Sequence, residues 1–199
     1  MLDRDLIIID LETTGTKVET LSILDLGAVR FSKAIGLCTD TFQTYIVPYK
    51  ELWNKTTYEY HKITEETIKE KGRPIEIALR EFEQWIRMDG TDTFKDVYIA
   101  MWSCGWDKAC LWEAYKYCKM KYPFKYRGYD IASIVRFFLA GLTLLPKNQG
   151  LTETAKVFGY TFEGKGLVRH KALDDAIMSG ILLDEVYSKL KALREFSFK

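Results

Sequence analysis

The chain is predicted to fold as a layered α/β or α+β domain, with a mixed sheet and helices packed on its faces, because strand-like segments come first and then alternate with helical ones. Three observations carry this: the apolar run at residues 6–9, the alternating segments at 23–31 and 41–47, and the glycines that punctuate the second half. With 199 residues, 47% of them hydrophobic, the chain can bury one substantial core. Residues 1–199 are therefore expected to form a single domain.

Leu6 to Ile9 is isoleucine-rich and continuously apolar, as suits a buried central strand, and it ends at Asp10. Thr13, Thr14 and Gly15 break the run. Segments 23–31 and 41–47 complete a three-stranded meander, stopped by Pro48. Residues 49–73 are polar and aromatic with little periodicity and read as a connection. From Pro74 a helix is expected with Ile77, Ala78, Phe82, Trp85 and Ile86 on one face. A fourth strand is expected at 97–101 and a helix at 107–117 after the Gly105 turn, with Trp106 and Leu111 facing the core. Further helices are read at 129–140, 151–158 and 173–190, followed by a short, basic, frayed end.

The 29 Lys and Arg residues against 28 Asp and Glu leave a net charge of +1, which excludes a histone-like polycation and confines any nucleic-acid affinity to local patches. The four cysteines, Cys38, Cys104, Cys110 and Cys118, lack the paired spacing of a zinc site and read as reduced, mostly buried thiols. The apolar stretch at 134–145 is too short for a membrane span and is broken by Arg136. A soluble, cytoplasmic setting without membrane contact is expected.

Asp10 and Glu12 stand one residue apart at the end of the first strand, so the period of two sends both carboxylates to the same side. Such a pair suits Mg²⁺ or Mn²⁺, although strand ends also carry acids that are merely solvated. Asp107 follows the fourth strand, where it can serve as a ligand or as a helix N-cap. His170 precedes the last helix, whose opening turns carry Asp174 and Asp175. An imidazole there can take a proton from water while an acid completes a metal cradle; helical spacing leaves open which of the two aspartates faces inward.

Taken together, DLETTG with Asp10 and Glu12, then Asp107, then HKALDDA with His170 and Asp175, resemble the DnaQ-like DEDDh 3′-5′ exonucleases over nearly the whole chain. The resemblance implies an RNase H-like, mixed five-stranded sheet with helices on both faces. It selects Asp175 over Asp174, makes Asp10, Glu12, Asp107 and Asp175 the holders of two divalent metal ions, Mg²⁺ or Mn²⁺, and makes His170 the general base. It implies stepwise release of 5′-mononucleotides from a single-stranded RNA or DNA 3′ end. WSCGWD and the segment 162–176 look nearest to the enhanced-RNAi and histone-messenger-RNA 3′ exonuclease subgroup, whereas Thr13-Thr14-Gly15 has the form common in proofreading subunits and in oligoribonuclease-like or RNase T-like relatives.

Substrate contacts are expected from Thr13, whose backbone N–H would meet the terminal sugar hydroxyl, and from Trp106 beside Asp107. His61 and Ile63 are placed by the resemblance against the last base, with ordinary loop packing as the alternative. Residues 115–127 interleave lysines, among them Lys116 and Lys121, with aromatic rings and contain no acid. That pattern suits sequence-independent binding of single strands, or else a solvated helix end with its aromatics in the core. A catalytically silent binding domain and a polymerase proofreading subunit are the rival functions, and a homodimer or polymerase partner is compatible with either.

Overall fold

The computed structural model describes residues 4–50, 55–87, 97–124 and 128–197. Its first strand, β1 (Asp5–Thr13), is buried on both faces because successive isoleucines have helices above and below: Ile7, Ile8 and Ile9 are all sealed from solvent. β2 (Ile23–Ser32) pairs antiparallel with β1, and β3 (Gly36–Tyr45) antiparallel with β2. On the other side of β1, β4 (Val97–Met101) runs parallel, followed by the short parallel β5 (Gly128–Asp130). The result is a mixed five-stranded sheet in the order β3-β2-β1-β4-β5.

Side-chain alternation divides the core into two layers. Ile7, Ile9 and Leu11 of β1 pack with Ala78, Phe82 and Ile86 of α3 (Ile75–Arg87) and with Cys110, Leu111 and Ala114 of α4 (Cys104–Tyr117). Leu6 and Ile8 pack on the opposite face with α5 (Ile131–Gly141), α6 (Leu151–Val157) and the 26-residue α7 (Ala172–Ser197). Each fully buried Leu, Ile or Phe side chain contributes about 1.5–3 kcal/mol, so both layers matter to stability.

Several expectations are corrected. Residues 49–73 are not simply a connection but include α1 (Lys55–His61) and α2 (Glu65–Lys71). Thr64 starts α2 by accepting a hydrogen bond from the Thr67 N–H, and Glu65 and Glu66 favour its first turn. On α3 the apolar face runs through Ile75, Ala78, Leu79, Phe82, Trp85 and Ile86, leaving Ile77 exposed. Tyr129 and Asp130 belong to β5 rather than to a helix, and α7 extends past Leu190 to Ser197; residues 198–199 of the expected frayed end lie outside the described residues. α4 begins at Cys104, so Asp107 is inside its first turn and does not cap it. The cap comes from Asp130, whose carboxylate accepts the Cys104 N–H at 2.9 Å and the Ser133 N–H at 2.7 Å, setting the starts of α4 and α5 together.

All four cysteines are free thiols; Cys104 and Cys110 are buried, while Cys38 and Cys118 are half-buried. Among the described residues no helix is long and apolar enough to cross a membrane.

Candidate active site

Along β1, Leu6 and Ile8 face the layer containing α7, and the period of two carries Asp10 and Glu12 onto that same face. In the antiparallel register Asp10 lies opposite Gly27 and Glu12 opposite Asp25. Side chains of directly opposed residues share a face, so Asp25 adds a carboxylate beside Glu12. The register shifts between Glu12 and Thr13, and such a bulge turns the strand end away from regular pairing.

The start of α7 is seated on this part of the sheet. Asp25, fully buried, accepts the Ala172 N–H at 3.3 Å and the Gln43 Nε2 amide at 3.0 and 3.2 Å on its two oxygens. Gly27 has no side chain to hold the helix off: a Cβ there would stand 2.0 Å from the Leu173 nitrogen. Farther along α7, Gly180 passes close to Leu37 and Ile8, and a Cβ on it would meet the Leu37 Cδ1 at 2.5 Å.

Seated in this way, α7 turns Asp175 toward the sheet. Ligand atoms of Glu12, His170 and Asp175 all lie within 4.8 Å of one another. Asp107, buried in the first turn of α4, acts electrostatically on Asp10 and Glu12. Burial, with the charges of Asp107 and Glu12, pushes the Asp10 carboxyl well above its ordinary range. Burial, reinforced by Asp25, raises Glu12 to about 7, and burial raises Asp25 to about 6. Asp107 is likewise raised, first by burial.

Carboxylates forced together in this way resist simultaneous ionisation unless a cation joins them. The Oδ1 of Asp175, on a side chain only 2% exposed, has no hydrogen-bond partner. An unpaired buried carboxylate oxygen, an imidazole within ligand distance and a set of hard oxygen donors fit a divalent metal ion.

Reading the sequence for motifs missed two contributors to the site. Asp25 stands between Leu24 and Leu26 in β2, and an acid buried there would need a partner; that is the available signal. Arg169 pairs directly with the Asp175 carboxylate and is electrostatically coupled to Asp10 and Glu12. Burial and the neighbouring Arg169 charge lower the His170 pKa. His170 has φ 64, in the left-handed region, and its ring lies 5.7 Å from that of Tyr60. Asp174, instead of facing the cluster, accepts the Val168 N–H at 2.9 Å and ties down the segment that leads to His170.

The expected substrate contacts are distributed unevenly. Thr13 is buried, and its hydroxyl donates to the Gly15 carbonyl at 2.8 Å. His61 lies close enough to His170 to feel its charge, and its Nδ1 accepts the Ile63 N–H at 3.0 Å. Burial first, then His170, lowers its pKa to about 4. Ile63 packs with Leu24 and Ile68 in a small buried cluster, which is the loop-packing alternative. Trp106 is exposed, contrary to the core-facing expectation, whereas Leu111 is buried. Of the basic, aromatic segment, Lys116 and Lys121 are exposed but Tyr115 and Phe124 are in the core; residues 125–127 lie outside the described residues. Lys116 pairs with Glu113 at 3.0 Å.

A family model described as exonuclease, RNase_T, matches residues 7–183. The DNA polymerase III subunit epsilon of Aquifex aeolicus (strain VF5) is 30% identical over 208 residues, covering 100% of this chain and 85% of that protein. The fold is shared with the nuclease domain of 3'hExo, a DEDDh family member, bound to rAMP (TM-score 0.77, 17% identity, 94% of this chain and 92% of that one). It is shared also with E. coli exonuclease I in a complex with single-stranded DNA (TM-score 0.74, 15% identity, 98% of this chain). Of exonuclease I the chain spans 43%, and of another structural relative, cell-death related nuclease 4, it spans 64%.

Proposed function

The chain belongs to the RNase_T exonuclease family, and from that premise we propose that it shortens single-stranded RNA or DNA from the 3′ end, releasing 5′-mononucleotides by two-metal-ion hydrolysis. The observation that carries this reading is the convergence of Glu12, His170 and Asp175 within 4.8 Å beside a buried, unpaired Asp175 oxygen. Asp10, Glu12, Asp107 and Asp175 would hold the metals, Mg²⁺ or Mn²⁺. When bound, these would stabilise charge on the phosphate and on the leaving oxygen.

The protein's own side chains do the rest. His170, kept neutral near pH 7 by its lowered pKa, accepts a proton on a ring nitrogen from the attacking water. Water oxygen bonds to phosphorus as the bond to the 3′ oxygen breaks, and that oxygen takes up a proton from solvent. Thr13, at the bulged end of β1, offers its backbone N–H to the terminal sugar, and Trp106, exposed next to Asp107, offers a ring face to a base.

Purified protein with Mn²⁺ and an oligonucleotide labelled at the 3′ end should release labelled mononucleotide at once, while a 5′ label should give a descending ladder. Gel retardation without shortening would favour a silent binding domain. The 30% identity to a polymerase III epsilon subunit supports a second reading, a proofreading subunit acting beside a polymerase. Co-purification with a polymerase and faster removal of mispaired than of paired 3′ nucleotides test it.

A further inference from the structure

The Asp175 carboxylate is claimed from two sides. One oxygen is buried without a partner, and the other is paired with the Arg169 guanidinium. Arg169 is held in place: its Cζ lies 5.6 Å from the centroid of the Phe162 ring, and the segment before it is anchored by the hydrogen bond from Val168 to Asp174. Its charge also acts on Asp10 and Glu12, the two acids of β1. A guanidinium keeps its charge at any ordinary pH, so this is a permanent cation inside the carboxylate cluster.

We propose that Arg169 is an internal counter-cation that competes with a divalent ion for Asp175 and thereby sets the affinity of the metal site. The proposal rests on the reading of the cluster as a metal site and adds a residue that weakens it. A carboxylate oxygen engaged by a guanidinium must be released before it can coordinate a metal, so the loss of that charge-assisted pair counts against binding. The same cation partly neutralises the acids that would attract the ion. Arg169 thus stabilises the metal-free protein and raises the concentration of metal needed to fill the site.

The test is Mn²⁺ binding without nucleic acid, measured by calorimetric titration and by electron paramagnetic resonance of the free ion. Arg169→Gln should bind Mn²⁺ roughly tenfold more tightly than the unaltered protein. Arg169→Lys, which keeps the charge but loses the planar fork, should fall between them. The rise in melting temperature from chelator to saturating Mn²⁺ should be larger in Arg169→Gln. Equal or weaker binding in Arg169→Gln overturns the proposal while leaving the exonuclease reading intact if the unaltered protein cleaves. If Arg169→Gln fails to fold, equal or weaker binding in Arg169→Lys overturns it alone. Absence of Mn²⁺ binding from both the unaltered protein and the variants overturns the metal reading and this proposal together.

Discussion

The carboxylate of Asp25 accepts the backbone N–H of Ala172 at 3.3 Å, joining the second strand to the first turn of the last helix across 147 residues of sequence. Through this contact the sheet that carries Asp10 and Glu12 orients the helix that carries Asp175. Asp25→Ala should leave the Ala172 N–H and the Gln43 amide without their acceptor, costing about 1–3 kcal/mol in urea unfolding. Mononucleotide release should fall more than the stability does. Asp25→Asn, which keeps an acceptor oxygen, should stay nearer to the parent in both measurements.

Asp174 and Asp175 are adjacent, yet they do different work. Asp175→Ala should abolish cleavage while circular dichroism and compactness stay unchanged, because loss of one acid also relieves repulsion within the cluster. Asp174→Ala should slow turnover only several-fold, by freeing the Val168 N–H and loosening the approach to His170. Complete loss in Asp174→Ala with activity retained in Asp175→Ala would reverse the assignment.

His170 combines a left-handed backbone with a pKa lowered by burial and by Arg169. A lowered pKa means the imidazole stays neutral down to more acidic solution, so the acid limb of kcat/KM should lie below about 6.5, the ordinary histidine value. A limb above that value contradicts the environment described. Asn tolerates positive φ, so His170→Asn should fold normally and lose activity by roughly 10²–10⁴.

Without metal, protein stability should fall as pH rises, because the raised acids Asp10, Glu12, Asp25 and Asp107 outnumber His61, whose value lowered to about 4 works in the opposite sense up to about 6.5. Glu12 and Asp25 have folded-state values raised to about 7 and about 6. For an acid raised on folding, the protonated form is favoured in the native state. Its contribution is therefore fully present below the ordinary value near 4 and is lost as pH climbs through 6 to 7. Thermal melts in chelator should give a lower midpoint at pH 7.5 than at pH 5, and Mn²⁺ should recover most of the difference at pH 7.5. A midpoint rising with pH over this interval in chelator would sink the account.

How far the sequence could be read depended on how local each signal was. The first strand was legible because four consecutive apolar residues need cover on both faces, and the pairing of Asp10 with Glu12 followed from strand period alone. α1 and α2 escaped notice because seven residues make too few turns to show a periodic apolar face. β5, with three residues, carries no alternation to detect. Helical spacing could not choose between Asp174 and Asp175; the family resemblance chose Asp175, and in the fold that is the buried one. Arg169 carries no sequence signal, and the position of Asp25 shows only that it needs a partner; the partners themselves are brought up by the fold. The aromatic, basic segment illustrates the limit of composition, since Tyr115 and Phe124 went to the core while Lys116 and Lys121 stayed in solvent.

The contact at Gly27 puts strand backbone directly against helix backbone, and Gly180 repeats the close fit two turns farther on. Two such touching points fix the helix like a key in a slot: sliding or rolling would drive it into strand backbone at Gly27 and into the Leu37 and Ile8 side chains at Gly180. Insertions beyond Tyr187, past the buried Leu182, Leu183 and Val186 and toward the exposed Leu190 and Leu193, should therefore be absorbed at the far end of the helix. A single residue inserted between Ala172 and Asp175 should instead rotate the acid by about 100° away from its partners.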